Sequence, residues 1–304
     1  MATRWGLRGV GKISNDFSVA MKTLPPGDHQ IAVIASRSLE RAKEFVKRHS
    51  IPQAYGSYEE MASDPDIDIV YLEVLHTEHW RVSLLFLKAG KNVLCEKPFA
   101  MNSRQLFTVA VVLGCLLCPS QAIWSRCFPV HAEVRRLLAE EAVGEVKLVK
   151  AYFGSNQLYI PRSVEKEMGG GALLDIGVYC LQFVLMVFNR ERLESIQATG
   201  VLLDSGVNES VVVVMKFSRN RMAFCAFSIA LSDWINTKLH FLFPPPPPLQ
   251  VLETEYPLPE PLRRCLLKGL KESPRMPLAE SVSLTEIMDE IRKQVGVAFN
   301  QDSQ

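Results

Sequence analysis

The sequence predicts a doubly wound α/β domain over residues 1–122, followed by an α+β domain with a largely antiparallel, open sheet over 123–304. Three observations predict this. The 304 residues suit two domains at roughly 150 residues each. Short β-like runs alternate with helical runs through the first third, the pattern of right-handed crossovers and a parallel sheet. Beyond residue 146 the β-like runs follow one another with turns between them, the pattern of an antiparallel sheet.

The elements are justified in order. Trp5–Val10 is a short strand running into a glycine-containing turn, and Ser14–Leu24 reads as a helix. Gln30–Ala35 is a second strand. Ser38 is placed to cap the helix Leu39–Arg48, where Ala42, Phe45 and Val46 share one face. Tyr58–Ala62 is a short helix, and the strands Ile67–Val74 and Asn92–Glu96 flank a helix around Arg81–Ala89. Leu106–Cys118, the longest apolar run, is broken by Thr108 and Gly114 and is too short to span a bilayer. It reads as a buried helix, with the domain boundary near Pro119–Ile123. Val146–Gly154, Ser195–Leu202, Glu209–Phe217 and Arg221–Ala230 are strands, Leu173–Phe188 is a helix before the last three, and Leu284–Val295 is an amphipathic closing helix. Residues 232–262 are atypical. Pro244–Pro248 and the later Pro257, Pro259 and Pro261 exclude a central strand or a helix. The run reads as an extended surface connection, with a ligand for an aromatic-lined groove as the alternative.

Composition narrows the function. With 48% hydrophobic and 22% charged residues, the chain has material for two cores, which excludes disorder for most of it. A net charge of +1 excludes binding to nucleic acid or membranes through bulk charge. Seven cysteines, an odd number, argue against a complete disulfide framework. A reducing compartment, and hence a cytoplasmic protein, is expected. Met1–Gly6 lacks the basic and apolar stretches of a signal peptide.

The chemistry-bearing residues begin at Gly9-Val10-Gly11-Lys12-Ile13-Ser14, which follows a strand and opens a helix. Gly9 permits a tight turn, and Gly11 lets the backbone approach a pyrophosphate seated on the helix N-terminus. In place of an acid, the end of the second strand carries Ser36 and Arg37, with Arg41 one helical turn later. Two guanidiniums and a hydroxyl suit a 2′-phosphate, which points to NADP over NAD. Lys97, in Cys95-Glu96-Lys97-Pro98, lies at a strand's carboxyl end, where its ammonium can polarise a substrate oxygen or lower a neighbour's pKa. Gly169-Gly170-Gly171 lets backbone pass close to a ligand and leads into a helix carrying Asp175 and Tyr179 on one face. His76 and His79 have no third ligand near them in sequence, so they read as cofactor contacts or caps and no metal is expected. Cys115 and Cys118 have C-x-x-C spacing without a second pair and read as buried thiols.

Together these residues resemble the glucose–fructose oxidoreductase/inositol dehydrogenase family, most closely its dihydrodiol dehydrogenase branch. The likeness is carried by Arg4-Trp5-Gly6, Arg41–Phe45, Ala54–Glu60, Val93–Pro98, Ala122-Ile123-Trp124, Gly170–Asp175, Val187-Phe188 and Lys268–Pro274. The resemblance implies a Rossmann domain, an open-sheet domain through which a homodimer forms, and transfer of a hydride to NADP from a trans-dihydrodiol or a sugar such as D-xylose. By the same resemblance Tyr179 is the general base, Lys97 lowers its pKa, and Asp175 lies in the same pocket. Ile13, His76, His79 and Glu96 join Gly9, Gly11, Ser36, Arg37, Arg41 and Lys97 on the cofactor side. Trp124, Arg126 and Phe153 are assigned to the substrate walls. The chain departs from the family at Glu73, Val74 and Leu75, where small or polar residues are expected along the cofactor, and over 232–262, where it is shorter. These departures favour a second reading, a dinucleotide-binding protein without turnover. An interaction module built on the proline run is the third.

Overall fold

The computed structural model describes residues 2–113, 119–189, 191–231, 259–273 and 276–303. Pro244–Pro248, Cys115 and Cys118 lie outside the described residues. The chain forms two compact units. The first comprises Met1–Ala100, Arg104–Cys127 and Glu255–Ser281, and the second Met101–Ser103, Phe128–Thr254 and Val282–Gln304. The division is thus discontinuous, where the sequence suggested a single cut after residue 122.

The first unit holds β1 (Thr3–Arg8), β2 (His29–Ala35), β3 (Gln53–Tyr55), β4 (Ile69–Leu72), β5 (Asn92–Glu96) and β6 (Pro119–Ala122). They pair in the order β3-β2-β1-β4-β5-β6, all parallel. The intervening helices are α1 (Lys12–Met21), α2 (Leu39–His49), α3 (Tyr58–Ser63) and α4 (His79–Lys88). Every residue of β4 is buried, as expected of a strand covered on both faces. Trp5, Leu7, Phe17, Ile34, Phe45, Ile69 and Tyr71 make the core, with the Phe17 and Tyr71 rings stacked 4.1 Å apart. Helix α2 is fixed at both ends. The Arg41 amide donates to Ser38 Oγ at 3.4 Å, and Ser50 closes the helix at φ 58°. The stretch Pro119–Ala122, read as a domain boundary, is instead the sixth strand. The helix Pro259–Leu267 places Cys265 in this core, and Arg263 donates to Asp28 Oδ1 at 2.7 Å and to the Asp28 carbonyl at 2.9 Å. The strand order reverses between β1 and β4, so the crevice beyond their carboxyl ends is the predicted ligand site.

The second unit holds β7 (Leu148–Gly154), β8 (Leu193–Leu202), β9 (Asn208–Phe217) and β10 (Arg221–Ser228) in the order β7-β10-β9-β8. β8, β9 and β10 are antiparallel, and β7 joins β10 in parallel. Burial alternates along β9. Val211, Val213, Met215 and Phe217 face inward, while Val212 and Lys216 are exposed. The expected helix Leu173–Phe188 is in two parts, a π-helical turn at Leu173–Gly177 and an α-helix, Val178–Phe188. The closing helix begins at Leu278, earlier than Leu284.

Candidate functional site

In the first unit the site is built around the turn after β1. Gly9 has φ +123°, a region that disfavours side chains, and a Cβ there would lie 2.2 Å from the Glu73 carbonyl oxygen. That approach is fixed by β4, whose continuation hydrogen-bonds back to β1 through the Glu73 amide and the Arg8 carbonyl at 2.9 Å. Gly11 caps α1 and brings no side-chain acceptor. The Glu73 carboxylate fills that role. Its Oε2 accepts from the Gly11 amide at 3.1 Å and Ser14 Oγ at 2.9 Å, and the backbones of Ile13 and Ser14 hydrogen-bond to the same group. Burial pushes the Glu73 carboxyl above its usual range, and these donors oppose the shift.

At the end of β2, Ser36 is buried and its Oγ accepts from the Ser38 amide at 3.3 Å, while Arg37 and Arg41 are exposed. Glu40, in the first turn of α2, accepts from Ser38 Oγ at 3.1 Å. Arg8 is a cation that sequence reasoning missed. It is buried at the last position of β1, its guanidinium 3.8 Å from the Tyr58 ring centroid. Burial lowers it to about 10, and the charges of Arg37, Glu78 and Arg81 act on it as well. The available signal was a basic residue directly before the glycine turn, at the carboxyl end of the Trp5-Gly6-Leu7 run.

Beyond β4, His76 and His79 are both buried, with ring centroids 5.7 Å apart. His79 Nδ1 lies 2.5 Å from the Pro98 carbonyl and Nε2 lies 3.0 Å from the Val74 carbonyl. Burial lowers its pKa to about 4, and the two carbonyls oppose the shift. His79 thereby ties the loop after β4 to the loop after β5. Glu96 is buried at the end of β5, and burial pushes its carboxyl upward. It is the hub of this region. Its Oε1 accepts from Tyr71 Oη at 2.5 Å and Trp124 Nε1 at 3.4 Å, and its Oε2 accepts from the Lys97 amide at 3.4 Å. Lys97 itself is half-buried. Glu96 and Trp124, expected on cofactor and substrate sides respectively, are therefore neighbours. Arg126 is buried in an ion pair with Glu280.

In the second unit the π-helical turn places Asp175, which is buried. Its Oδ2 accepts from Ser163 Oγ at 2.9 Å and its Oδ1 from Arg162 Nη1 at 3.0 Å. Tyr179, one turn on, is half-buried, with its ring centroid 5.9 Å from that of Phe153. The structure thus brings Phe153 to Tyr179. The glycine run approaches the chain itself and no ligand is needed to explain it. The Gly171 amide donates to the Ser163 carbonyl at 2.8 Å, and a Cβ on Gly170 would lie 2.8 Å from that same oxygen. Among the described residues no group of three or more His, Cys, Asp or Glu side chains is placed to hold a metal.

Two family descriptions match this chain. "Oxidoreductase family, NAD-binding Rossmann fold" covers residues 3–113, and "GFO/IDH/MocA C-terminal domain" covers 131–240. A zebrafish (Danio rerio) protein named trans-1,2-dihydrobenzene-1,2-diol dehydrogenase is 48% identical over 336 aligned positions, spanning 100% of both chains. The chain belongs to the GFO/IDH/MocA family. It is therefore an oxidoreductase of the NAD(P)-dependent class with a Rossmann domain. Human and Xenopus laevis proteins with the same printed name as the zebrafish one are 38% and 45% identical, each over 98% or more of both chains. Among solved GFO/IDH/MocA-like folds, a levoglucosan dehydrogenase in complex with NADH and levoglucosan superposes with a TM-score of 0.82 at 18% identity, covering 97% of this chain and 98% of that one. A 3-ketoreductase from Actinomadura kijaniata in complex with NADP has a TM-score of 0.77 at 18% identity, with 97% and 98% covered.

Proposed function

We propose that the chain is an NADP-dependent dehydrogenase that oxidises a trans-dihydrodiol or a sugar such as D-xylose, working as a cytoplasmic homodimer. The observation that carries the reading is its end-to-end similarity to relatives named trans-1,2-dihydrobenzene-1,2-diol dehydrogenase. The residues fit a dinucleotide. The Gly9–Gly11 turn and the N–H groups opening α1 form a pyrophosphate cradle. Ser36, Arg37 and Arg41 stand past the end of β2, where a 2′-phosphate would be met by positive charge. The bound nicotinamide supplies a hydride acceptor for the carbinol carbon. Tyr179 takes the hydroxyl proton, and Lys97 supplies the positive charge that favours a phenolate. Arg162 and Ser163 hold Asp175, one helical turn before Tyr179, in one orientation.

The homodimer reading is supported by the outer face of the second sheet. Leu148, Tyr152, Val212 and Met222 are exposed there on adjacent strands, and Tyr152 packs against Phe224 with ring centroids 5.7 Å apart. A second copy burying the same face closes such an interface symmetrically. Light scattering at the mass of two chains is expected, and a stable single-chain mass removes this part. The buried thiols of Cys95, Cys180 and Cys225 suit a reducing compartment.

Tryptophan-fluorescence titration tests the cofactor assignment. The parent protein is expected to prefer NADPH to NADH. Replacing Arg37 and Arg41 together with Ala is expected to weaken NADPH by about tenfold or more while sparing NADH, since hydrogen bonds to charged groups contribute about 1.5–3 kcal/mol before screening at exposed positions. A double variant that still prefers NADPH removes these arginines from the site. The second reading, binding without turnover, is favoured by Glu73 in the cradle. It is separated by assaying a folded, NADPH-binding sample for turnover of trans-diols and D-xylose.

A further inference from the structure

The pyrophosphate cradle already holds an anion, and that anion belongs to the chain. Helix α1 opens on a glycine, has no acid in its first turn and has no side-chain cap of its own. Its first N–H groups need acceptors, and their aligned dipoles favour negative charge. Glu73 reaches them from the end of β4, through the hydrogen bonds with Gly11, Ile13 and Ser14 described above. Its carboxylate sits in the room left by the missing side chain of Gly11. A Cβ on that residue would lie 2.3 Å from Glu73 Oε1 and 2.8 Å from Oε2. The feature that would let a pyrophosphate approach is thus the feature that admits Glu73.

We propose that Glu73 is an internal occupant of the pyrophosphate cradle, and that a dinucleotide binds the conformer in which this carboxylate has left. The inference rests on the reading of the glycine turn as the dinucleotide site. Both anions use the same donors, and two negative charges at this spacing repel, so the cradle holds one at a time. Affinity is then reduced by the fraction of molecules whose cradle is open. Glu73 becomes a determinant of cofactor affinity although it contributes no favourable contact to the bound cofactor. The competing account makes Glu73 a helix cap alone, in which case replacing it changes stability and leaves binding as it was.

The test measures binding, with no need for turnover. Parent, Glu73→Ser and Glu73→Gln proteins are titrated with NADPH by tryptophan fluorescence, and their melting is followed with and without inorganic pyrophosphate. Glu73→Ser is expected to bind NADPH roughly ten- to hundredfold more tightly than the parent, as for a cradle open in about 1–10% of molecules. Pyrophosphate is expected to raise the melting temperature of Glu73→Ser more than that of the parent. Glu73→Gln keeps the size and removes the charge, so it gains less, and it preserves the test if the serine variant does not fold. Equal or weaker NADPH binding by a folded variant overturns the proposal while leaving the dinucleotide site in place. No binding of NADPH or NADH by any of the three folded proteins overturns the dinucleotide site itself.

Discussion

Tyr179→Phe is expected to lower kcat/KM for a trans-diol or D-xylose by about a hundred- to ten-thousandfold, the usual worth of a positioned general base. NADPH affinity is expected to stay as it is. The substitution removes one oxygen and keeps the ring that packs on Phe153, so the hydrophobic contact and the start of Val178–Phe188 survive. A loss confined to turnover therefore reports on the hydroxyl. The measurement is steady-state kinetics at saturating NADP beside a binding titration of the same sample. A variant that turns over at the parental rate shows that the proton leaves by another route.

The second large effect is on stability. Arg292, in the helix Leu278–Val295, is 4% exposed and gathers two carboxylates. It donates to Asp289 at 2.7 Å and to both oxygens of Asp302 at 2.8 and 3.0 Å, with its guanidinium 5.3 Å from the Phe299 ring centroid. The same acids accept from the backbone, Asp289 from the Ser103 amide at 2.8 Å and Asp302 from the Phe299 amide at 2.8 Å. Arg292→Met keeps the apolar stem and leaves both carboxylates without their cation. The expected cost is about 3 kcal/mol, the lower end for breaking a buried pair because both acids keep some solvent. By the usual entropy of unfolding this lowers the melting temperature by roughly 6–12 °C. The pH dependence follows from Asp302, which burial pushes up but the Arg292 hydrogen bonds hold below its ordinary value. Such a group contributes stability that is present above the unfolded-state pKa of about 4 and is lost as pH falls through the lower folded value. Denaturant melts of parent and variant between pH 3 and 7 check both parts. The variant is expected to lose part of the parent's acid sensitivity, and a parental midpoint at pH 7 would contradict the assignment.

Much of this fold was legible because its strands are apolar runs of unambiguous period. Ile69–Leu72 and Val211–Phe217 announce a doubly covered and a singly covered strand. β3 and β6 were not legible. They are strands of three and four residues, at the two ends of the sheet, one beginning on a proline. The π-helical turn was missed because Leu173–Phe188 is apolar at most positions, and so dense a run does not reveal a local change of helical pitch. At the site, the glycine turn was readable from its spacing. The partners of Glu73 and Asp175 were not, since they depend on where separate loops come to rest. Glu73 meets Gly11 across 62 positions, and no local pattern encodes such a meeting. Arg126, assigned to a substrate wall, meets Glu280 across 154 positions.

The return of Glu255–Ser281 to the first unit bears on how the protein is made. Arg263 joins Asp28 across 235 residues. At a ribosomal rate of about 5–20 residues per second, roughly 10 to 50 s separate the synthesis of the two partners. During that interval the strands of the second unit leave the ribosome, while the first unit still lacks a helix of its core. The usual order, in which the N-terminal domain finishes before the next begins, is closed to this chain. Until that late helix is made, the cluster that holds Trp5 and Leu7 lacks Cys265 and Leu266, the apolar side chains this helix adds to it.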